Sequence, residues 1–490
     1  MALDRAGATK LVKERLFPAW ENERTKLERI DCWYRWQHED IRLPRSATPE
    51  LRDLSQLSKV PWLSLVVTAA AQAMYVDGYR SRLDGARAAE GDNPDTPQNE
   101  ASDSPPWRAW MANQMDRRQV ALHRAGLAYG TAYTTVLPGE DPLTGTRQAV
   151  IRGVSPRKMV AFYEDPAEDD WPEYALRIVD RKGDEYRARL YDEDAVYELR
   201  VGGTGSSSQV ELLEDPAPHG AGVCPVIRYA NMLDLDGRTP GEVEPYIGIA
   251  ARINKTSYDR MLVQHFNSWK IRYVTGMSEP DSEEEANRTK MRLRQDDLLV
   301  AEDPDTKFGQ LDETSLAGFI DAHRADIETL AAASQTPTHE LTGQMANLSA
   351  EALAAARASL TQKITERQKS FGASHTQTLK LAAALDGHRD YATDLTGRVT
   401  WQDMEIRSMS QSADALVKMA GLGIPFKALW GKIPGVEKSD VDEWAQMAAE
   451  GDPIRRMQLD LERQYSSSPD VTVDGPDPAK PADVNPVASL

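Results

Sequence analysis

The chain has 490 residues, enough for two to four structural units at about 150 residues each. Its 77 acidic residues against 58 basic ones leave a formal charge of −19, which excludes a surface built throughout to grip nucleic acid while allowing a local basic patch. Two cysteines, Cys32 and Cys224, exclude both a disulfide framework and a cysteine-rich zinc site, and fit a reducing compartment.

Residues 1–20 alternate charged and apolar side chains and lack the apolar core of a signal peptide. From 8 to about 39 the recurrence of Leu11, Leu16, Trp20, Leu27, Ile30 and Trp33 predicts helix, with Pro18 as a break point. Thr48 and Pro49 open a short helix to about 57, and a further helix covers 62–74. The apolar stretch 60–76 around that helix is shorter than the ~20 residues a membrane span needs and is interrupted by Pro61, Ser64, Thr68 and Gln72, so no membrane segment is expected. Residues 85–106 carry four prolines and several acids with hardly a large apolar side chain, the composition of a solvated loop.

Helix returns at 107–128, and then the period shortens from helix-like to strand-like. Short β-favouring runs at 131–137, 149–154, 159–163, 174–179, 186–191, 195–201, 209–213 and 226–229, separated by Gly-, Pro- and Asp-rich turns, predict one meandering antiparallel sheet. A helix from about 243 to near 276, an acidic-then-basic helix at 282–294, strands near 298–300 and 308–311, and a helix at 316–333 follow. Residues 349–385 read as one helix about 55 Å long, slimmed by six alanines between Ala350 and Ala358, with Gly372 the expected kink. Three short helices are expected over 410–450, and a proline-rich tail from 466.

Catalytic signatures are missing. No phosphate-binding G-x-x-x-x-G-K-[ST], no H-E-x-x-H and no paired-cysteine motif occurs, and the eight histidines are scattered. Gly202-Gly203-Thr204-Gly205 lies between strand signals and reads as a hairpin turn, while Asp234-Leu235-Asp236-Gly237 lacks the first acid of a calcium loop. Trp33, Tyr34 and Trp36 offer aromatic faces, but on a helix such residues more often pack into a core or interface than stack on bases. No catalytic residue, cofactor site or metal site is assigned. What stands out is the order of elements: a mixed α+β body, a helix leaving it, a small α/β insert, a returning helix, a loop, a very long helix and a helical C-terminal unit. Two helices that leave a body and return form a stalk too thin to bury its own faces, which makes sense when copies pack around an axis.

Several short patterns, in this order and spacing, resemble the portal (head–tail connector) proteins of tailed bacteriophages, in the type common in long-tailed phages of actinobacteria. They include Val60-Pro61-Trp62-Leu63 with Val76-Asp77-Gly78-Tyr79; Trp110, Asn113 and Asp116 with His123-Arg124-Ala125-Gly126 and Tyr129-Gly130-Thr131-Ala132-Tyr133; and Ser155-Pro156 before Phe162-Tyr163-Glu164-Asp165-Pro166, where Glu164 is an extra residue. Cys224-Pro225-Val226 through Tyr229-Ala230-Asn231, Ile253-Asn254-Lys255-Thr256 ending in Val274-Thr275-Gly276, Leu341-Thr342-Gly343, Ser349-Ala350-Glu351-Ala352-Leu353, Val399-Thr400-Trp401 and Ser412-Ala413-Asp414-Ala415 continue the series to about residue 450.

The resemblance implies a closed ring, usually of twelve copies of the chain, at one capsid vertex. Double-stranded DNA would pass through it during packaging and ejection. The terminase large subunit would dock and then a head–tail adaptor, with major capsid and scaffold proteins as further partners and no membrane; the site of action would be the virion, reached from the host cytoplasm during assembly. It implies a portal-like subunit: wing 1–240 with return 387–409, stem helices 241–268 and 316–334, clip 269–315, tunnel loop 335–348, long kinked helix 349–386 and crown 410–465, followed by a disordered tail 466–490. Thr338, His339, Glu340, Thr342, Gln344 and Asn347 would then face the DNA, and Glu283, Glu284, Glu285, Arg288 and Lys290 the motor or adaptor. On the residues alone the run 283–294 is equally a solvated helix with i,i+4 charge pairs. Two other readings stay open at this point: a magnesium-dependent nucleic-acid-processing enzyme built on scattered carboxylates, and a capsid-shell or scaffold protein that encloses no channel.

Overall fold

The computed structural model describes residues 3–38, 41, 43, 46–83, 104–141, 143–203, 209–267, 272–275, 307–310, 314–343, 350–402, 409–424 and a few positions between 429 and 448. It divides into two units, Met1–Glu405 and Ile406–Leu490. Expectations for the loop at 85–103, the charged helix at 282–294, the strand near 298–300, the N-cap Ser349 and the tail lie outside the described residues.

The first unit opens with α1 (Arg5–Leu11), a π-helical turn Val12–Leu16, and α2 (Phe17–Tyr34). Pro18 has no N–H to give Glu14 and its ring crowds that carbonyl, so the turn before it widens: Phe17 N–H reaches back to Val12 O. Ala8, Val12, Leu16 and Trp20 form an i,i+4 ridge and are buried. The helix stops at Tyr34, not at 39, with Trp36 in a left-handed conformation (φ 47°). Next come α3 (Pro49–Leu57), α4 (Trp62–Gln72), whose Leu63, Val66, Val67 and Ala70 are buried, and β1 (Val76–Arg80).

The single helix expected at 107–128 is two, α5 (Pro105–Ala112) and α6 (Met115–Tyr129), so helix already begins where the solvated loop was expected to end. Asn113 makes the break. Its Nδ2 donates to the Ala109 and Ala149 carbonyls (2.9 Å each), and its Oδ1 accepts from Ile151 N–H (2.8 Å), bonds that tie the helix end to a strand. Gln114 then takes φ 50°.

The strands are β2 (Thr131–Glu140), β3 (Arg147–Val154), β4 (Met159–Phe162), β5 (Tyr174–Lys182), β6 (Glu185–Tyr191), β7 (Ala195–Gly202), β8 (Gln209–Leu212), β9 (Ala217–Pro218) and β10 (Val226–Ala230). All eight expected runs are present, but they build two sheets rather than one meander: β10-β2-β3, and β4-β5-β6-β7-β8 with β9 also on β7. Pro156 starts a 3-10 turn between β3 and β4, and that turn stops the ladder. In the larger sheet Tyr186, Ala188, Leu190, Tyr197, Leu199 and Val201 are buried with α1, the π turn and Trp20, while Arg187 pairs with Glu198 on the opposite face at 3.3 Å.

Beyond the sheets, α7 (Ile247–Asn267) ends nine residues short of Gly276, and β11 (Arg272–Thr275) pairs antiparallel with β12 (Lys307–Gln310). Then follow α8 (Ala317–Ala333), α9 (Thr338–Thr342), α10 (Ala350–Leu385, 36 residues), α11 (Asp390–Thr393) and β13 (Arg398–Trp401), which pairs with β1. α10 is α-helical through Gly372 without a break. That glycine admits a neighbour: a Cβ there would lie 3.3 Å from Trp401 Nε1 and 3.6 Å from Val399 Cγ2. On another face of α10, the hydroxyls of Ser370 and Ser374 donate to the Ala230 and Arg228 carbonyls, 2.7 Å each. Four helical residues rise about 6 Å, close to the two-residue repeat of a strand at about 6.6 Å, so the two hydroxyls satisfy alternate carbonyls of β10. Leu360, Ile364, Phe371, Leu379, Ala382 and Ala383 carry α10 through the main apolar core.

In the second unit, α12 (Met409–Gly421) is described, and the rings of Trp430 and Trp444 meet edge-on at 6.4 Å. The other helices expected there fall largely outside the described residues.

Candidate functional site

In the helices α7 and α8 the buried side chains lie near one end of the pair, although Asn267 Nδ2 still donates to the Thr314 carbonyl at the other end (2.9 Å). Burial in α7 is confined to Ile247, Ala250, Ile253, Asn254, Ser257 and Tyr258, and in α8 to Ile327, Leu330 and Ala331. An ion pair between Arg252 and Asp326 (2.7 Å) and a hydrogen bond from Thr256 to the same carboxylate (3.0 Å) close this stretch. Farther out, Phe266 is 55% and Ile320 52% exposed. Two-helix contact leaves these faces in water, at roughly 25 cal/mol per Å² of apolar surface.

The base is held by one carboxylate. Glu242 accepts from Lys363 Nζ (2.7 Å) and from Arg367 Nη2 (3.2 Å), both on α10, and from Asn231 Nδ2 (3.3 Å). Lys363 Nζ also donates to the Ser334 carbonyl at 2.8 Å. Glu242 lies just before α7 and Ser334 caps the end of α8, so a single lysine of the long helix touches the chain beside the start of one helix and at the end of the other. All three charged side chains are buried. Burial pulls the Lys363 ammonium below its usual pKa, and Glu242 partly offsets that pull. Sequence reasoning missed this cluster because the i,i+4 pair Lys363 and Arg367 reads as a solvated stripe; burial depends on what packs against it.

Of the segment expected as a tunnel loop, residues 335–343 are described, and they hold a short helix. Gln335 takes φ 54°, Pro337 precedes α9, and Gly343 ends it at φ 67°. Leu341 is buried in the main core. Glu340 pairs with Arg357 of α10 at 3.0 Å and lies 3.8 Å from His339 Nε2. Thr338 and Thr342 are exposed on the same turn, the Thr342 hydroxyl donating to the Thr338 carbonyl at 3.0 Å. Gln344 and Asn347 lie outside the described residues, as do Glu283, Glu284, Glu285, Arg288 and Lys290. The structure therefore brings Thr338, His339, Glu340 and Thr342 together on one helical turn beside α10.

The other motifs have structural partners. Asp234 and Asp236 both bind Arg238, at 2.8 and 2.5 Å, so their carboxylates are tied to a guanidinium. Trp33 stacks on His38 at 3.8 Å, Tyr34 meets Tyr129 edge-on, and Trp36 is half exposed. Among the described residues, no three His, Cys, Asp or Glu side chains are grouped to hold a metal ion, and no helix is long and apolar enough to cross a membrane.

Comparison with known proteins identifies a family. The profile of the family "Phage portal protein, SPP1 Gp6-like" matches residues 13–454. The portal protein of Mycobacterium phage D29 is 25% identical over 432 residues, covering 84% of this chain and 82% of that protein. The portal protein of Mycobacterium phage L5 is 26% identical over the same length and coverage.

Proposed function

Because the chain belongs to the SPP1 Gp6-like family of phage portal proteins, structural components of the phage capsid rather than enzymes, we propose that it is the repeating subunit of the ring through which the genome enters and leaves. Family membership sets aside the nuclease and the shell or scaffold readings. The observation that carries the proposal is the stalk: α7 and α8 bury side chains only near their base and leave Phe266 and Ile320 in water. Neighbouring copies around an axis would cover those faces.

In this reading the ring has twelve subunits. The wing is 1–240 with 387–409, the stem 241–268 and 316–334, the clip 269–315 and the crown 410–465, and the clip docks first the terminase large subunit and later the head–tail adaptor. Thr338, His339, Glu340, Thr342, Gln344 and Asn347 face the duplex. Mostly neutral polar groups suit that place, since every phosphate neutralised raises affinity and slows passage; the acidic balance of the chain works the same way. Glu283, Glu284, Glu285, Arg288 and Lys290 face the motor or the adaptor. Assembly begins in the host cytoplasm and ends at one vertex of the virion.

Electron microscopy of the purified protein tests this. Rings with a central hole, twelve-fold in class averages, are expected; monomers across concentration and salt in light scattering would overturn the reading.

A further inference from the structure

We propose that the cleft between α10 and β13 is a docking groove for an acidic segment of a partner protein, one with a large apolar side chain set between carboxylates. The cleft has a volume of about 830 Å³, within the roughly 300–1,000 Å³ of sites that hold a ligand or a peptide anchor. Gly372, Thr376, Leu381 and Val399 form a buried floor, and Trp171 and Trp401 are half-buried among the lining residues. Such a floor accepts an apolar anchor and gives nothing to a free ion.

The charge of the rim selects the partner. Lys369, Lys380 and Arg398 line the cleft, with Asp170 its one acid among the described residues. None of the three cations is ion-paired among the described residues. Asp394, which feels the Lys380 charge, is already bonded to Ser81 and Thr396. In the β1–β13 pair, Arg80 stands directly opposite Arg398, both exposed. Like charges opposite one another weaken a strand pair, so the register places an uncompensated repulsion beside the cleft that an external anion would relieve. On a chain of net charge −19 this is a local reversal of sign. Opposite charge on the partner would steer encounter and fix register, while the anchor would supply contact area. A DNA duplex shows its phosphates on a convex cylinder and makes no use of an apolar floor, which favours a peptide.

The inference goes beyond the ring reading and does not require it. The test uses the full chain and two fluorescein-labelled peptides, Glu-Asp-Leu-Phe-Asp-Glu and Lys-Lys-Leu-Phe-Lys-Lys, followed by anisotropy. The acidic peptide is expected to bind the wild type at least about tenfold more tightly than the basic one. It should lose at least about tenfold in the Lys369→Glu/Lys380→Glu variant and again in Ala373→Trp, an exposed lining position whose indole would fill the groove. Arg80→Glu, also exposed, serves if the double variant does not fold. Equal binding by wild type and variants, or no binding of the acidic peptide, overturns the proposal. So does full displacement by inorganic phosphate, which makes the site one for a small anion, or by a DNA duplex. Loss of rings in Lys369→Glu/Lys380→Glu would mean that a second copy covers the cleft and also overturns it. A wild type that binds the acidic peptide yet stays monomeric sinks the ring reading and leaves this one standing.

Discussion

His123 Nε2 lies 2.8 Å from His375 Nε2, with both rings wholly buried. The Met74 carbonyl, 3.2 Å from His123 Nδ1, can only accept, so His123 carries its proton there and its Nε2 accepts from His375. His375 Nδ1 in turn faces the Tyr229 hydroxyl at 3.1 Å. One proton between the two Nε2 atoms closes the pair, and burial keeps both rings neutral. The pair joins α6 to α10, and Tyr229 extends it to β10.

Stability should therefore fall with acid. Burial depresses His123 from 6.5 to about 4 and His375 well below its usual value, His123 adding to the second shift. The unfolded chain binds protons below about pH 6.5 that the folded one refuses, so stabilisation is full above that pH and declines as pH falls toward 4. For His123 alone the loss is about 2 kcal/mol by pH 5. Thermal melts between pH 7.5 and 5 should show it, and His123→Gln should flatten the slope. An unchanged slope would contradict the neutral pair.

Removing Glu242 should cost more than removing Lys363. Glu242→Ala leaves Lys363 and Arg367 buried without their shared carboxylate, a loss of about 3–5 kcal/mol. Lys363→Met keeps the Arg367–Glu242 pair and most of the volume, and should cost less than half as much. Urea unfolding of the two variants checks the order, and equal midpoints would count against the clamp.

Gly130→Ala should destabilise by about 3 kcal/mol or more. Gly130 takes φ +92°, and a Cβ there would sit 1.9 Å from the Thr239 carbonyl oxygen, where two backbone segments touch. Its carbonyl also accepts from Asn231 N–H at 2.9 Å. A melting temperature equal to that of the wild type would show that the approach is not so close.

Phe266→Asp combined with Ile320→Asp should prevent ring assembly while leaving the monomer folded, since both side chains are already half in water. Light scattering would report the loss, and circular dichroism the intact helices. Rings of normal size would place the subunit contacts elsewhere.

Alanine at Thr338, His339, Thr342, Gln344 and Asn347 together should leave rings intact and reduce DNA packaging or retention in an infectious clone. Leu341 is kept because it is buried in the core, which makes deletion of the whole segment a test of folding instead. Particles that package and hold a full genome would remove the DNA-facing role.

Much of the architecture is written in local periodicity. The eight strand runs, α3, α8 and α10 stand within a few residues of their sequence patterns, because alternation of period two and apolar recurrence near 3.6 report which face is buried. The order and spacing of the short residue patterns likewise carried the family. What local pattern could not decide was pairing. β1 and β13 are more than 300 residues apart in sequence, and nothing in Val76-Asp77-Gly78-Tyr79 names Val399-Thr400-Trp401 as its partner. Nor does local pattern place β10, which returns beside β2 rather than at the end of a meander. Asn113 reads as an ordinary helical polar residue until the Ala149 carbonyl and the Ile151 N–H arrive to meet it. Lys363, Arg367 and His375 look solvent-facing in a helix whose charges recur on every side; they are buried because Glu242, Ser334 and His123 come to them from distant parts of the chain. Sequence alone marks most segments as helix or strand, since that preference is local; burial, charge pairing and the cleft beside β13 are decided only when the long helix is threaded through the body, since they depend on contacts between residues far apart in the chain.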